Sequence, residues 1–293
     1  MKTINKYITE KLKVSKPKVK QPVEHTLFPK SKIELKEMIK EENRFVSSTI
    51  FEGMTSIRAI IDNLKLGKEN ARKIEKILYD KEKASKKAKE IGYLRKMSEL
   101  FGFALVESNN DEISSLSIGA SHGGIIAICN EREYSTLQAA DIKENGFYVM
   151  IEGIEDPYNF GYAMRSIYAS GVDGFILSKR NWLSASGVVC RSSAGASERA
   201  DIYIANDDFI DLFKSKGYKI VCADIKNSVS VYEADLTKPI FLIVGGEKRG
   251  ISSSVLSKAD QIVRIDYGRD FPAALSAASA STILAFEVLR RNK

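Results

Sequence analysis

Cysteine and histidine are scarce in this sequence: three cysteines (Cys129, Cys190 and Cys222) and two histidines in 293 residues. The cysteines stand far apart with no CxxC pair, which argues against a disulfide framework and against a zinc site. Reduced, buried thiols in a cytoplasmic protein that carries no metal are the expectation. Long apolar runs are missing too. None approaches the roughly eighteen residues of a membrane-spanning helix. The basic opening MKTINKYITEKLKVSKPKVK has no apolar stretch behind it, so neither a secretory signal nor a membrane partner is expected. Two nucleotide fingerprints are also lacking. No Gly-x-Gly-x-x-Gly follows an apolar strand, which argues against a Rossmann dehydrogenase. The Gly-x-x-x-x-Gly turn from Gly245 to Gly250 continues as Ile251-Ser252, without the lysine of a P-loop, which argues against nucleotide hydrolysis.

Positive charge is present but unevenly spread. Residues 1–100 hold 25 of the 45 basic residues against 14 of the 38 acidic ones, and the remainder holds 20 against 24. A surplus confined to the first third points to a polyanionic partner met through that third, with a solvated lysine-rich surface as the plain alternative. The first twenty residues contain seven lysines and one glutamate, and residues 1–45 read as a basic extension.

The rest divides into two α/β patterns. Within residues 46–132, strands are expected at 47–52, 103–106 and 123–129, with helices at 54–64 and over most of 71–100, where Ile74, Ile77 and Leu78 have helical spacing. Residues 133–145 are polar and read as a linker. Within residues 146–293, the strands 147–152 (FYVMIE), 174–177, 202–205, 218–223, 240–244 and 262–265 are apolar almost throughout. Helices are expected at 159–170, after 205 up to 216, and at 274–291. Such strands separated by helices indicate a parallel sheet covered on both faces, and a sheet of that kind holds its ligand beyond the carboxyl ends of its strands.

Three turns fall there. Asp156-Pro-Tyr-Asn159-Phe-Gly161-Tyr-Ala-Met-Arg165 follows the first strand, with Asn159 read as the helix cap and Arg165 one to two turns on. Asn and Arg near one helix start can bind phosphate or a polar nucleotide edge, although, taken alone, a capping Asn with a surface Arg is the plainer explanation. Gly245-Gly246-Glu247-Lys248-Arg249-Gly250 puts three glycines around one acid, which lets backbone approach a ligand closely or simply reverses the chain. Asp266-Tyr267-Gly268-Arg269-Asp270-Phe271-Pro272 leads into a helix that opens with small residues, suited to a flat ligand or to tight packing.

In order and spacing these three turns resemble the motifs of the SpoU (TrmH-like) branch of the SPOUT RNA 2′-O-ribose methyltransferases. The first matches Asp-Pro-x-Asn-x-Gly-x-x-x-Arg at Asp156 to Arg165, and the second matches Gly-x-Glu-x-x-Gly at Gly245 to Gly250. The segment Arg191-Ser192-Ser193-Ala194-Gly195-Ala196 is similar to the stretch between them. The third motif departs: Ala274-Leu275-Ser276 stands where the family commonly has Ser-Leu-Asn. Phe51-Glu52-Gly53 and Ser121-His122-Gly123-Gly124-Ile125-Ile126-Ala127 resemble the ends of an L30e-like substrate-binding domain, with no chemical role given to His122.

The resemblance implies a parallel α/β domain with a C-terminal trefoil knot, S-adenosylmethionine as cofactor, and RNA as substrate, ribosomal RNA before transfer RNA. It also implies a homodimer through the catalytic domain. Asn159, Arg165, Glu247 and Ser276 are the implied catalytic residues. Ala223, Gly245, Gly246, Gly250, Ile265, Tyr267 and Leu275 are the implied cofactor contacts. The alternative is an RNA-binding protein that keeps the fold without the chemistry.

Overall fold

The structure, a computed structural model, describes residues 48–119, 122–154, 156–178, 185–246 and 249–293. The expected basic extension and Glu247 lie outside these.

The first unit begins with β1 (Ile50–Glu52) running into α1 (Gly53–Lys65), followed by β2 (Ile74–Asp80), α2 (Ala88–Phe101), β3 (Ala104–Ser108), α3 (Asn110–Leu116) and β4 (Ile125–Cys129). The strand order is β1-β4-β2-β3, with β4 antiparallel to both of its neighbours and β3 parallel to β2. Residues 74–80 correct the sequence reading, which made them helical. A break in register between Ile74 and Lys76 puts a bulge in β2. The extra residue lets Ile74 and Ile77 share one core, with Leu78 in the other, so a kinked strand carries helix-like spacing.

The second unit is a seven-stranded sheet, parallel at every pairing. It contains β5 (Phe147–Glu152), α4 (Pro157–Ala169), β6 (Gly174–Leu177), α5 (Ser186–Ser192), α6 (Ala196–Arg199), β7 (Ile202–Ile204), α7 (Phe209–Ser215), β8 (Lys219–Ala223), β9 (Val229–Ser230), β10 (Ile240–Gly245), α8 (Ser253–Leu256), β11 (Gln261–Arg264) and α9 (Ala277–Arg291). The order is β7-β6-β5-β10-β8-β11-β9. Alternate residues of the central strands enter opposite cores. Phe147, Val149 and Ile151 join Phe160 and Met164 of α4 and Leu284, Ala285 and Val288 of α9. Tyr148 and Met150 join Ile210 and Phe213 of α7. Each fully buried Val, Leu, Ile, Phe or Met among them contributes about 1.5–3 kcal/mol of transfer free energy.

Residues 133–145, read as a linker, pack on this second sheet. Thr136 pairs in parallel with Ile204, Leu137 N donates to Ile204 O at 2.9 Å, and Leu137 and Ile142 are buried in its core. The apolar positions are too widely spaced to stand out from a polar segment. The two units meet along α5 and α6, neither of which was expected from the sequence. Cys190 of α5 is buried in the core of the first sheet. Glu198 of α6 accepts from Arg72 Nε at 3.1 Å on both carboxylate oxygens, and Arg132 Nη1 stands 3.9 Å from the same group. Burial works against the Arg72 charge, but Glu198 more than restores it, and the Arg72 pKa stands above its ordinary value.

Candidate functional site

The register of the sheet brings four strand ends together. Glu152 pairs with Gly245, Val244 with Ala223, and Ala223 with Val263. The carboxyl ends of β5, β10, β8 and β11 are therefore consecutive across the sheet, and the turns carrying Gly245, Gly246, Gly250 and Ile265 leave from them. Ala223 and Ile265 are half-buried against the core that also holds α4 and α9. Beyond β11, Leu275 N donates to the Tyr267 hydroxyl at 3.0 Å. Tyr267 and Phe271 are exposed, their ring centroids 6.5 Å apart. The loop between them and α9 thus offers apolar surface to solvent.

The glycine turn is closed largely on itself. Gly246 N donates to Glu152 O at 2.5 Å, and Gly250 N donates to Gly246 O at 3.0 Å. A methyl group at Gly246 would lie 2.1 Å from the Gly153 carbonyl oxygen, and one at Gly245 would lie 2.6 Å from the Gly250 carbonyl carbon. The amides of Gly246 and Gly250 are engaged inside the protein. The approach that these glycines allow is first of all the turn's approach to its own backbone. Glu152 adds to the same edge, its carboxylate accepting from Ser252 N at 3.2 Å. Nothing in the sequence marked Glu152, because it reads as the polar end of a strand.

At the head of α4 the cap is Asp156, not Asn159. The Asp156 carboxylate accepts from Tyr158 N at 3.3 Å and Asn159 N at 3.1 Å, with Pro157 in the first helical position. Proline has no N–H to satisfy there, so the helix starts two residues earlier than its apolar pattern suggested. Asn159 consequently lies inside the first turn, half-buried. Arg165 lies about two turns along, exposed and with no ion pair to any described residue.

The third turn ends in a true cap. The Ser276 hydroxyl accepts from Ser279 N at 3.1 Å at the head of α9, so the serine found in place of asparagine closes the helix on which it stands. α9 packs against α4 within one core, which joins the first and third turns through the helices that follow them. Sequence reasoning missed the support behind α4. A methyl group at Gly161 would lie 1.8 Å from the Ser192 hydroxyl oxygen, so α5 rests directly on α4. The signal was available as a glycine within the first motif.

Residues 146–286 match the model of the SpoU rRNA Methylase family. A protein of Staphylococcus saprophyticus, named for the TrmH family of tRNA/rRNA methyltransferases, is 29% identical over 177 residues, covering 58% of this chain and 71% of its own length. The AdoMet-bound rRNA methyltransferase of Sinorhizobium meliloti is similar in structure, with a TM-score of 0.68 and 25% identity over 87% of this chain and 95% of that one. An RNA 2′-O ribose methyltransferase shares the fold at 22% identity, with a TM-score of 0.69 and coverage of 87% and 95%.

Proposed function

Because residues 146–286 form a domain of the SpoU methylase family, we propose that this chain transfers a methyl group from S-adenosylmethionine to a ribose 2′-hydroxyl of structured RNA, in ribosomal rather than transfer RNA. The observation that carries the reading is the convergence of four consecutive parallel strand ends, where the 245–250 turn and the 265–275 loop emerge at the same edge of the sheet with β8 between their strands. The exposed apolar surface of Tyr267 and Phe271, with Ala223 and Ile265 half-buried nearby in the fold, suits an adenine. Gly245, Gly246, Gly250 and Leu275 would contribute backbone, chiefly carbonyl groups in the glycine turn.

The sulfonium of the cofactor supplies an electrophilic methyl carbon. With the donor bound, a ribose 2′-oxygen would take that methyl group, the sulfide would leave with the broken bond's electron pair, and the hydroxyl proton would pass to solvent or a nearby base. Arginine, with a pKa above about 12, is a poor base. Arg165 serves by holding an adjacent phosphate and steadying charge on the oxygen. Asn159, Glu247 and Ser276 orient the sugar and the donor, with the Ser276 contribution limited by its helix-capping bond.

A homodimer belongs to the same reading. Tyr158 and Tyr162 on α4 and Phe286 on α9 expose 45%, 51% and 43% of their surfaces on two helices packed together, an apolar face suited to a second copy. The basic first third would supply phosphate contacts, and the L30e-like reading of residues 46–132 fits that use. The trefoil knot is part of the reading too, supported by the return of the chain from β11 to place α9 against α4.

Incubation of the protein with methyl-labelled S-adenosylmethionine and ribosomal or transfer RNA tests the proposal, followed by mass spectrometry of the nucleosides. The expected product is a 2′-O-methyl nucleoside in ribosomal RNA, and DNA of the same sequence should take no label, since it lacks the hydroxyl. Label on a base, or none on any RNA, would overturn it. The second reading, an RNA-binding protein without transfer, is favoured by one observation: the residue in place of the family's asparagine is Ser276, whose hydroxyl is occupied as a cap. Calorimetric titration with S-adenosylmethionine separates the two, because a pure RNA binder needs no affinity for it.

A further inference from the structure

We infer that the ion pair between Glu52 and Arg191 positions the head of α4 for methyl transfer, making Arg191 a positioning residue of the reaction. The inference rests on the methyltransferase reading above and concerns a place outside the three turns, at the seam between the two units.

Glu52 closes β1 and is 5% exposed. One of its carboxylate oxygens accepts from Ile118 N at 2.6 Å and Gly119 N at 3.0 Å; the other accepts from Arg191 Nη1, which reaches it from α5 of the second unit. The seam is shaped to admit the guanidinium. A methyl group at Gly119 would stand 2.6 Å from Arg191 Nη1, so the glycine leaves the room that arginine fills. The carboxylate thereby gathers three donors from two units where water is largely excluded.

On the other side, Arg191 is one residue from the α4 contact. Ser192 presses on Gly161, and its hydroxyl lies 3.4 Å from the Pro157 carbonyl oxygen in the first turn of α4. That turn carries Asn159 and is held by the Asp156 cap. A continuous path therefore runs from the 118–119 backbone through Glu52, Arg191 and Ser192 to the head of α4. The buried Arg72–Glu198 pair fastens α6 to the first unit, and Glu52–Arg191 fastens α5, the helix in contact with the α4 first turn. A third pair on this seam, Arg199–Asp62 at 3.0 Å, is 33% and 42% exposed and provides a control of ordinary surface character.

An in-line displacement is sensitive to such support, because a misplacement of about 1 Å can cost on the order of a hundredfold in rate. The test compares steady-state methyl transfer by the unaltered protein with that of Arg191→Gln, Arg191→Lys and Arg199→Gln, with hydrogen exchange measured on the same proteins. The inference expects Arg191→Gln to lower kcat by about tenfold or more, with KM for S-adenosylmethionine and for RNA changing by less than about threefold. Arg191→Lys keeps a charge for Glu52 and should recover most of the rate, and Arg199→Gln should behave as the unaltered protein. Amides 158–162 should exchange faster in Arg191→Gln and stay protected in Arg199→Gln. Should Arg191→Gln fail to fold, the double variant Glu52→Gln/Arg191→Gln, which buries no lone charge, is measured in its place and should show the same kcat loss. Unchanged kcat, a rise in KM with kcat intact, or a loss equal to that of Arg199→Gln overturns the inference while leaving the methyltransferase reading standing. An unaltered protein that methylates no RNA overturns both.

Discussion

Asp156 holds the cap of α4, and Asn159 stands inside the first turn instead of at its head. Both residues were visible in the sequence as parts of one motif, but which of two adjacent polar groups would cap the helix depended on Pro157, whose missing N–H suits the first helical position. Arg165 was equally legible, and its exposure on α4 with no ion pair to a described residue fits a group kept available for a phosphate. Arg165→Lys should cut kcat at least about tenfold, because an ammonium cannot reproduce the planar fork, while calorimetric affinity for S-adenosylmethionine stays near normal. A rate close to that of the unaltered protein would remove Arg165 from the reaction.

His122 illustrates a role set by burial alone. Its Nδ1 accepts from Gly124 N at 3.0 Å, which leaves the proton on Nε2, 3.2 Å from the Ser114 hydroxyl. Burial, with the Lys83 charge nearby, holds its pKa below the ordinary value. The unfolded chain therefore binds this proton first. The stability it gives is complete above about pH 6.5 and is lost as pH falls below that, through the folded value. Urea midpoints between pH 7.5 and 5.5 should fall more for the unaltered protein than for His122→Asn, whose side-chain carbonyl can still accept from Gly124.

At the scale of elements, the second sheet was largely written in its strands. Every residue of FYVMIE is apolar except the last, because the strand is covered on both faces, and its bounds were read to the residue. The elements between the motifs were harder. α5 and α6 are short, and apart from Arg191, Glu198 and Arg199 they hold only small residues, with Val189 and Cys190 packed into two different cores, so no single apolar face repeats. β2 was misread because its bulge shifts the strand's parity. Of the implied cofactor contacts, the glycines were easy to find and hard to interpret: their freedom from side chains is used within the turn before any ligand is considered. Gly246→Ala should accordingly disturb the turn against Gly153 and weaken S-adenosylmethionine binding by about tenfold or more in calorimetry, since overpacking shifts backbone at a cost of about 1–3 kcal/mol. Unaltered affinity would show that the turn is remote from the donor.

For the whole molecule, the charge imbalance between the first hundred residues and the rest was plain in composition. A phosphate-binding surface makes binding steeply salt-dependent. Deleting residues 1–45 should weaken RNA binding and flatten the dependence of log Kd on log salt, with affinity for S-adenosylmethionine unchanged. An identical salt slope with and without them would place the electrostatic contact elsewhere. What composition did not reveal is how the units are joined, since the apolar residues and charges that join them lie far apart in sequence: Arg72 with Glu198, and Cys190 among residues of the first sheet.

That joint bears on how such a protein can diverge. Where two units hang on a slack tether, either can be exchanged for a foreign one and the chimaera still folds. Here Cys190 completes the neighbour's interior, and Glu198 would be stranded without the arginines opposite it. A graft of a different first unit before residue 146 would have to bring its own counterparts for both, so the two units are expected to diverge by surface change while staying paired, not by wholesale replacement.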